Sequence, residues 1–175
     1  LGLFYGMGKA KLQAELGVSK DKAEELFSIY HERVPFVKSL TKSVSNRAQQ
    51  RGQIRTLLGR LCRFHLWEPN QFGIHKALPF DQARQEYGAG IKRAYTYKAL
   101  NKLIQGSAAD MTKKSMLELY KEGIVAHIQV HDELDISVED DIKAKRIKEI
   151  MESAVELEIP NKVDYEFGKN WGDIK

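Results

Sequence analysis

HIQVHDELDIS, residues 127–137, sets two short runs of alternating apolar and polar residues on either side of His131, Asp132 and Glu133. Alternation with a period of two is the signature of a half-buried strand, so the stretch predicts a β-hairpin with arms 124–130 and 133–138 that turns at His131 and Asp132. Side chains alternate between the faces of such a hairpin. Ile128 and Val130 on one arm are therefore expected to join Leu134, Ile136 and Val138 on the other in one buried face. The turn lifts Asp132 and Glu133 to the sheet's edge. Adjacent carboxylates repel unless a cation lies near them, and hard divalent ions such as Mg²⁺ prefer oxygen ligands, so a Mg²⁺ site at the tip is one reading. An ordinary polar turn is the other.

Upstream, the pattern is helical. Ser19 is an N-cap candidate for a helix over 19–34, with Ala23, Leu26, Phe27, Tyr30 and Val34 on one face. Pro35 stops that helix and suits the first turn of the next, which Gly52 closes. Residues 53–58 read as a strand leading to a turn at Gly59, and 60–79, broken by Trp67, Pro69, Gly73 and Pro79, as a loop. A long helix is predicted from Phe80 to Lys121, bent near Gly88, Gly90 and Gly106. Beyond the hairpin, 141–157 is amphipathic and helical, and 161–167 reads as a last strand. Helices thus precede a small antiparallel sheet, an α+β order without internal repeats.

Composition narrows the class. The 175 residues, 42% hydrophobic and 30% charged, suit a globular chain with a real core. No apolar run approaches the roughly 18 residues that span a bilayer, and the first residues do not read as a signal peptide, so a soluble, cytoplasmic protein without a membrane partner is expected. The single cysteine, Cys62, excludes an internal disulfide and a CxxC zinc site. A net charge of +4 is a mild hint of a polyanionic partner. The sequence opens at Leu1 with an apolar pattern already under way, as expected of a piece of something longer.

Two further clusters carry polar chemistry. Asn101 and Gln105, four apart, share a helix face and precede GSAAD, whose small residues permit close backbone approach. Amides suit bases and sugars, and the neighbouring Lys92, Arg93, Lys98 and Lys102 suit phosphates, although the same pattern describes a solvated helix. Arg55, Arg60 and Arg63 surround the tight turn of RTLLGRLCR and could grip phosphates or form surface ion pairs. At the start, Phe4 and Tyr5 lie beside Gly6 and Gly8, where an aromatic could stack on a base or simply fill core.

Taken in order, LGLFYGMG, RTLLGR, LNKLIQGSAAD, QVHDEL and FGKNWGDIK resemble the C-terminal part of family A DNA polymerases, from Leu1 to Lys175. The resemblance implies fingers over 1–60 and the remaining fingers with the C-terminal part of the palm over 61–175, with a small antiparallel sheet carrying a catalytic hairpin. It implies template-directed DNA synthesis, in which a primer 3′-hydroxyl attacks the α-phosphate of a deoxynucleoside triphosphate with the help of two Mg²⁺ ions. On matching positions, Asp132 is the metal-binding aspartate, Glu133 its acidic neighbour and His131 a residue near the primer terminus. Asn101 and Gln105 match minor-groove and template contacts, and Thr56 and Arg60 the T-x-x-G-R stretch. Tyr5, freed by Gly6, closes the nucleotide site. Primer-template DNA and deoxynucleoside triphosphates are the implied partners. A second aspartate, the triphosphate-binding Lys and Arg, and the thumb are implied to lie upstream of Leu1, in a missing N-terminal half without which the chain is expected to be inactive.

The sequence also departs from the family pattern. Leu1 stands where a Phe or Tyr is usual beside the incoming sugar, as in some viral polymerases, which suggests a bacteriophage source. Tyr97 stands where bacterial relatives have arginine, so a DNA contact there is lost or passes to Lys98. Cys62 also stands where arginine is frequent, and 62–97 matches poorly and receives no role. A metal-dependent phosphohydrolase would put its His-Asp dyad on a helix with further histidines, a single-subunit RNA polymerase would lack Glu133 and QGSAAD, and a non-catalytic DNA-binding module would keep the fold alone.

Overall fold

A computed structural model describes residues 2–3, 7–71, 73 and 75–174, and the expected roles of Leu1, Tyr5 and Gly6 lie outside the described residues. The chain is α+β and divides into two compact units, residues 1–105 and 106–175.

The first unit opens with α1 (Lys9–Leu16) and α2 (Lys20–Arg33), which pack on each other. Ser19 caps α2 by accepting from the Lys22 amide at 3.3 Å. Pro35 begins α3 (Pro35–Arg51), and Gly52 ends it at φ +67, its N–H returning to the Ala48 carbonyl at 2.9 Å. β1 (Gln53–Arg55) follows and pairs antiparallel with β2 (Leu61–Arg63), putting Ile54 opposite Cys62. The expected loop over 60–79 is therefore a correction: it holds β2, β3 (Leu66–Pro69) and β4 (Leu78–Pro79). Its prolines mark sheet margins rather than loop. Pro79 lies in the edge strand and Pro69 is the last residue of β3, where a missing N–H costs little.

The single helix expected over 80–121 is likewise two helices. α4 (Phe80–Tyr87) stops at Gly88, whose φ of +74 no helix accommodates. β5 (Ile91–Arg93) then completes a sheet of order β4-β3-β5, with Trp67 opposite Arg93. Tyr95 at φ +61 leads through a 3₁₀ turn, Thr96–Lys98, into α5 (Ala99–Lys121), which runs on into the second unit. The core of the first unit is Val44, Ala48, Ile54, Phe64 and Ala99, with Cys62 and Leu103 packed against it.

Arg93 ties three of these pieces together. Its guanidinium lies 4.5 Å over the Trp67 ring and donates to the Phe64 carbonyl at 2.9 Å. With its amide nitrogen toward the Arg93 carbonyl, Gln49 donates there at 3.1 Å and accepts from the Arg93 amide at 2.9 Å. The end of α3, the segment before β3 and β5 thus meet at one residue, through its backbone and its side chain.

In the second unit, β6 (Ile128–Val130) and β7 (Glu133–Asp135) form the expected hairpin with a two-residue turn, and α6 (Asp141–Ser153) follows, capped by Asp140. Register corrects the expected buried face. Val130 pairs with Glu133 and Ile128 with Asp135, so the apolar residues of β6 share a face with the acids of β7. Leu134, Ile136 and Val138 instead pack on the core of Leu119, Ile124, Ile147 and Ile150, while Ile128 and Val130 stay exposed at 43% and 40%. Residues 161–167 form no strand. That segment is held along α6, the Val163 amide donating to Glu152 Oε1 at 2.9 Å and Asn161 to the Met151 carbonyl at 3.4 Å. Arg146 on α6 forks onto the Glu122 carboxylate, with Nε to Oε2 at 3.1 Å. Among the described residues, no helix is long and apolar enough to cross a membrane.

Candidate active site and nucleic-acid interface

In the first unit, the turn between β1 and β2 explains why threonine precedes glycine and arginine by this spacing. The Thr56 amide donates to the Arg60 carbonyl at 2.9 Å, and the buried Thr56 hydroxyl accepts from the Arg60 amide at 3.0 Å. Gly59 takes the φ of +89 that the reversal needs, and its carbonyl accepts from Arg55 Nη1 at 2.8 Å. Arg55 is thus partly used in holding the turn, and Arg60 is exposed at its end.

Asn101 and Gln105 stand one turn apart on α5, Asn101 half-buried and Gln105 exposed. The Asn101 Oδ1 atom is buried and accepts no hydrogen bond from the described residues.

In the second unit, His131 and Asp132 form the tip of the β6–β7 hairpin, and Glu133 opens β7. His131 carries the positive φ, +53, that lets a two-residue turn follow the twist of its strands. Holding a side chain other than glycine there costs local strain, of about 1 kcal/mol. Gln129 steadies the turn by donating to the His131 carbonyl, and His127 Nε2 lies 3.1 Å from the Ser137 hydroxyl across the arms. His131, Asp132 and Glu133 are all exposed. Asp135, which sequence reasoning passed over, shares the strand face of Glu133 and has a buried Oδ2 without a hydrogen-bond partner. The i, i+2 spacing of Glu133 and Asp135 was the available signal.

Chemically, the tip offers hard, anionic oxygens of the kind Mg²⁺ takes while it keeps several waters. Among the described residues, no three His, Cys, Asp or Glu side chains come together as a metal-holding group. The carboxylates at the tip fit part of a Mg²⁺ shell.

Arg63, Lys98 and Lys102, which the sequence marks as suited to phosphates in two separate clusters, come together in a basic cleft of the first unit that sequence reasoning did not foresee. A cavity of about 190 Å³ is lined by Arg63 at the end of β2, by His65 just beyond it, and by Tyr95, Lys98 and Lys102 from the approach to α5 and its first turn. Phe64 and Ala94 form its buried floor.

Comparison with known proteins places these features in a family. A model of DNA polymerase family A matches residues 1–173. A DNA-directed DNA polymerase of Pseudomonas phage M6 is 32% identical over 206 residues, taking in 98% of this chain and 28% of the phage protein. DNA polymerase I of Bacillus caldotenax is 33% identical over 183 residues, with 99% of this chain and 19% of that protein covered. Among solved structures, the POL domain of Pol1 from M. smegmatis, in complex with DNA primer-template and dNTP, has a TM-score of 0.75 and 27% identity over 99% of this chain and 29% of its own. The chain spans less than a third of the length of these relatives. Over residues 1–173, the chain belongs to DNA polymerase family A.

Proposed function

We propose that this chain is the C-terminal part of a template-directed DNA polymerase, with fingers over 1–60 and the remaining fingers and part of the palm over 61–175. The observation that carries the reading is the pair Asp132 and Glu133, exposed at a two-residue hairpin turn in a chain of this family. The reaction is attack of a primer 3′-hydroxyl on the α-phosphate of a deoxynucleoside triphosphate, with pyrophosphate leaving. Bound Mg²⁺ would supply a Lewis acid that favours the attacking alkoxide and offsets charge on the leaving oxygens. Asp132 holds metal, and Glu133 adds negative charge beside it. A second aspartate comes from the portion of the polymerase upstream of Leu1.

Primer-template DNA is the partner, and the neighbour solved with primer-template and dNTP supports that choice. Arg60, set by the Thr56 turn, contacts backbone phosphate, and His131 lies toward the primer terminus. Asn101 suits a donor in the minor groove, where the guanine amino group is the one donor a G·C pair presents. Gln105 contacts template one turn on. Leu1, Tyr5 and Gly6 belong to the nucleotide-binding end of the fingers. The work is done on DNA in the cytoplasm, that of the host if the source is viral.

Primer extension with Mg²⁺ and four deoxynucleotides tests the reading. The chain alone is expected to give no extension, and the chain combined with its upstream half to give extension that Asp132→Asn abolishes. Extension by the Asp132→Asn assembly as fast as the unaltered one would refute the metal role. No extension by the assembled halves, with primer-template binding retained, would leave a DNA-binding module.

A further inference from the structure

Ala48 and Gln49, neighbours near the end of α3, hold the two ends of the connection that leads from β5 into α5. Ala48 and Ala99 are both fully buried in one cluster, and α3 also packs against the 3₁₀ turn that precedes Ala99. Gln49 holds the other end. Its bonds to the Arg93 N–H and C=O, at 2.9 and 3.1 Å, occupy the outer edge of β5 as the facing residue of a neighbouring strand would. An amide carries a donor and an acceptor on one planar group, so a single side chain serves both backbone atoms at once.

Between these anchors the chain takes a path that local preference does not favour. Tyr95 adopts φ +61, a conformation that a residue with a Cβ keeps only where its surroundings impose it. The Lys98 amide then donates to the Tyr95 carbonyl at 2.9 Å, and α5 begins at Ala99. Asn101 lies two residues further on, so its direction is inherited from the way the chain enters the helix. A rotation of the first turn by about 20° would carry its amide roughly 2 Å around the axis, enough to break a hydrogen bond. We propose that Gln49 is a positioning residue for Asn101: by fixing Arg93 it sets the entry into α5 and with it the minor-groove contact that Asn101 makes. This rests on the polymerase reading. A glutamine that merely capped a sheet edge would affect stability and leave that contact unchanged.

The test is single-nucleotide extension by the assembled polymerase from primers whose last base pair is G·C or hypoxanthine·C. Hypoxanthine lacks the guanine amino group in the minor groove, so the ratio of kcat/KM for the two primers reads that contact. Asn101→Ala is expected to lower the ratio about fivefold, the loss of one hydrogen bond. Gln49→Met keeps the length of the side chain without its donor and acceptor, and it should lower the ratio at least about threefold. Gln49→Met/Asn101→Ala should then match Asn101→Ala, since the two changes remove the same contact. An unaltered ratio in Gln49→Met would overturn the proposal. So would an unaltered ratio in Asn101→Ala, which leaves Gln49 nothing to position. Hydrogen exchange of the full chain gives a readout apart from activity. In Gln49→Met the amides of residues 94–103 should exchange about tenfold faster while those of β1 and β2 keep their rates, and equal acceleration throughout the first unit would reduce Gln49 to a general stabiliser. Asp132→Asn, assayed in parallel, separates the two readings: extension that survives it sinks the metal role at the hairpin, whereas the exchange pattern still decides whether Gln49 holds the start of α5.

Discussion

Replacing Gly52 with alanine should expose how much the first unit depends on Arg93. Gly52 sits at φ +67, where an L side chain costs about 1 kcal/mol in backbone strain. Its added Cβ would also lie 2.6 Å from the Arg93 guanidinium carbon, 2.8 Å from Nη1 and 3.0 Å from Nη2. A flexible side chain could move away, but this one is fixed by its bond to the Phe64 carbonyl and its seat on Trp67. Displacing it forfeits a charged hydrogen bond and a cation–π contact, together about 2 kcal/mol. Gly52→Ala is therefore expected to destabilise by about 3 kcal/mol in the parent and by about 1 kcal/mol when Arg93 is already alanine, a coupling of about 2 kcal/mol. Urea unfolding of the four proteins in this cycle measures it. Equal costs of Gly52→Ala in both backgrounds, within about 0.5 kcal/mol, would refute the steric argument and leave backbone strain alone.

Removing the Thr56 hydroxyl as Thr56→Val should cost about 1 kcal/mol and speed hydrogen exchange at the Arg60 amide, while the amides of α3 exchange as before. His131→Gly should stabilise the hairpin by about 0.5 kcal/mol, because the relief of a positive φ exceeds the extra freedom of glycine in the unfolded chain; a loss in thermal unfolding would contradict this. Lys114 and then Lys121 bond to the Glu118 carboxylate and hold its pKa below the ordinary glutamate value. A depressed pKa adds stability that is present above the unfolded value and lost as pH falls through the folded one. The Glu118 titration midpoint by NMR should therefore rise in Lys114→Ala. An unmoved midpoint would show that the lysine does not hold the carboxylate.

Local signals were legible where they act through adjacent backbone. Ser19, Pro35 and Gly52 marked helix ends correctly, because capping and φ restriction depend on a few neighbouring residues. The hairpin and its polar tip were legible for the same reason. What the sequence hid were pairings between distant segments. β3 and β5 have no strong periodicity of their own and exist because Trp67 meets Arg93, a pairing that overrides the helical reading of 80–121. The register of β6 on β7 was misjudged because alternation shows that each arm has an apolar face, not that the two faces coincide across a turn. The basic residues of the cleft were legible one by one, but not their meeting, because its two halves are joined only by the returning chain.

The opposed faces of the β6–β7 hairpin also bear on how this locus can vary over generations. With two residues between Val130 and Glu133, Leu134 turns toward the helices while Glu133 and Asp135 turn away. One codon gained or lost within β7 would exchange those directions from that point on, driving carboxylates against Ile147 and Ile150 and the leucine outward. Substitutions here can accumulate one at a time. Changes of length cannot, so insertions and deletions across a library of variants should be depleted between Ile128 and Ile136 far more strongly than amino-acid replacements at the exposed positions.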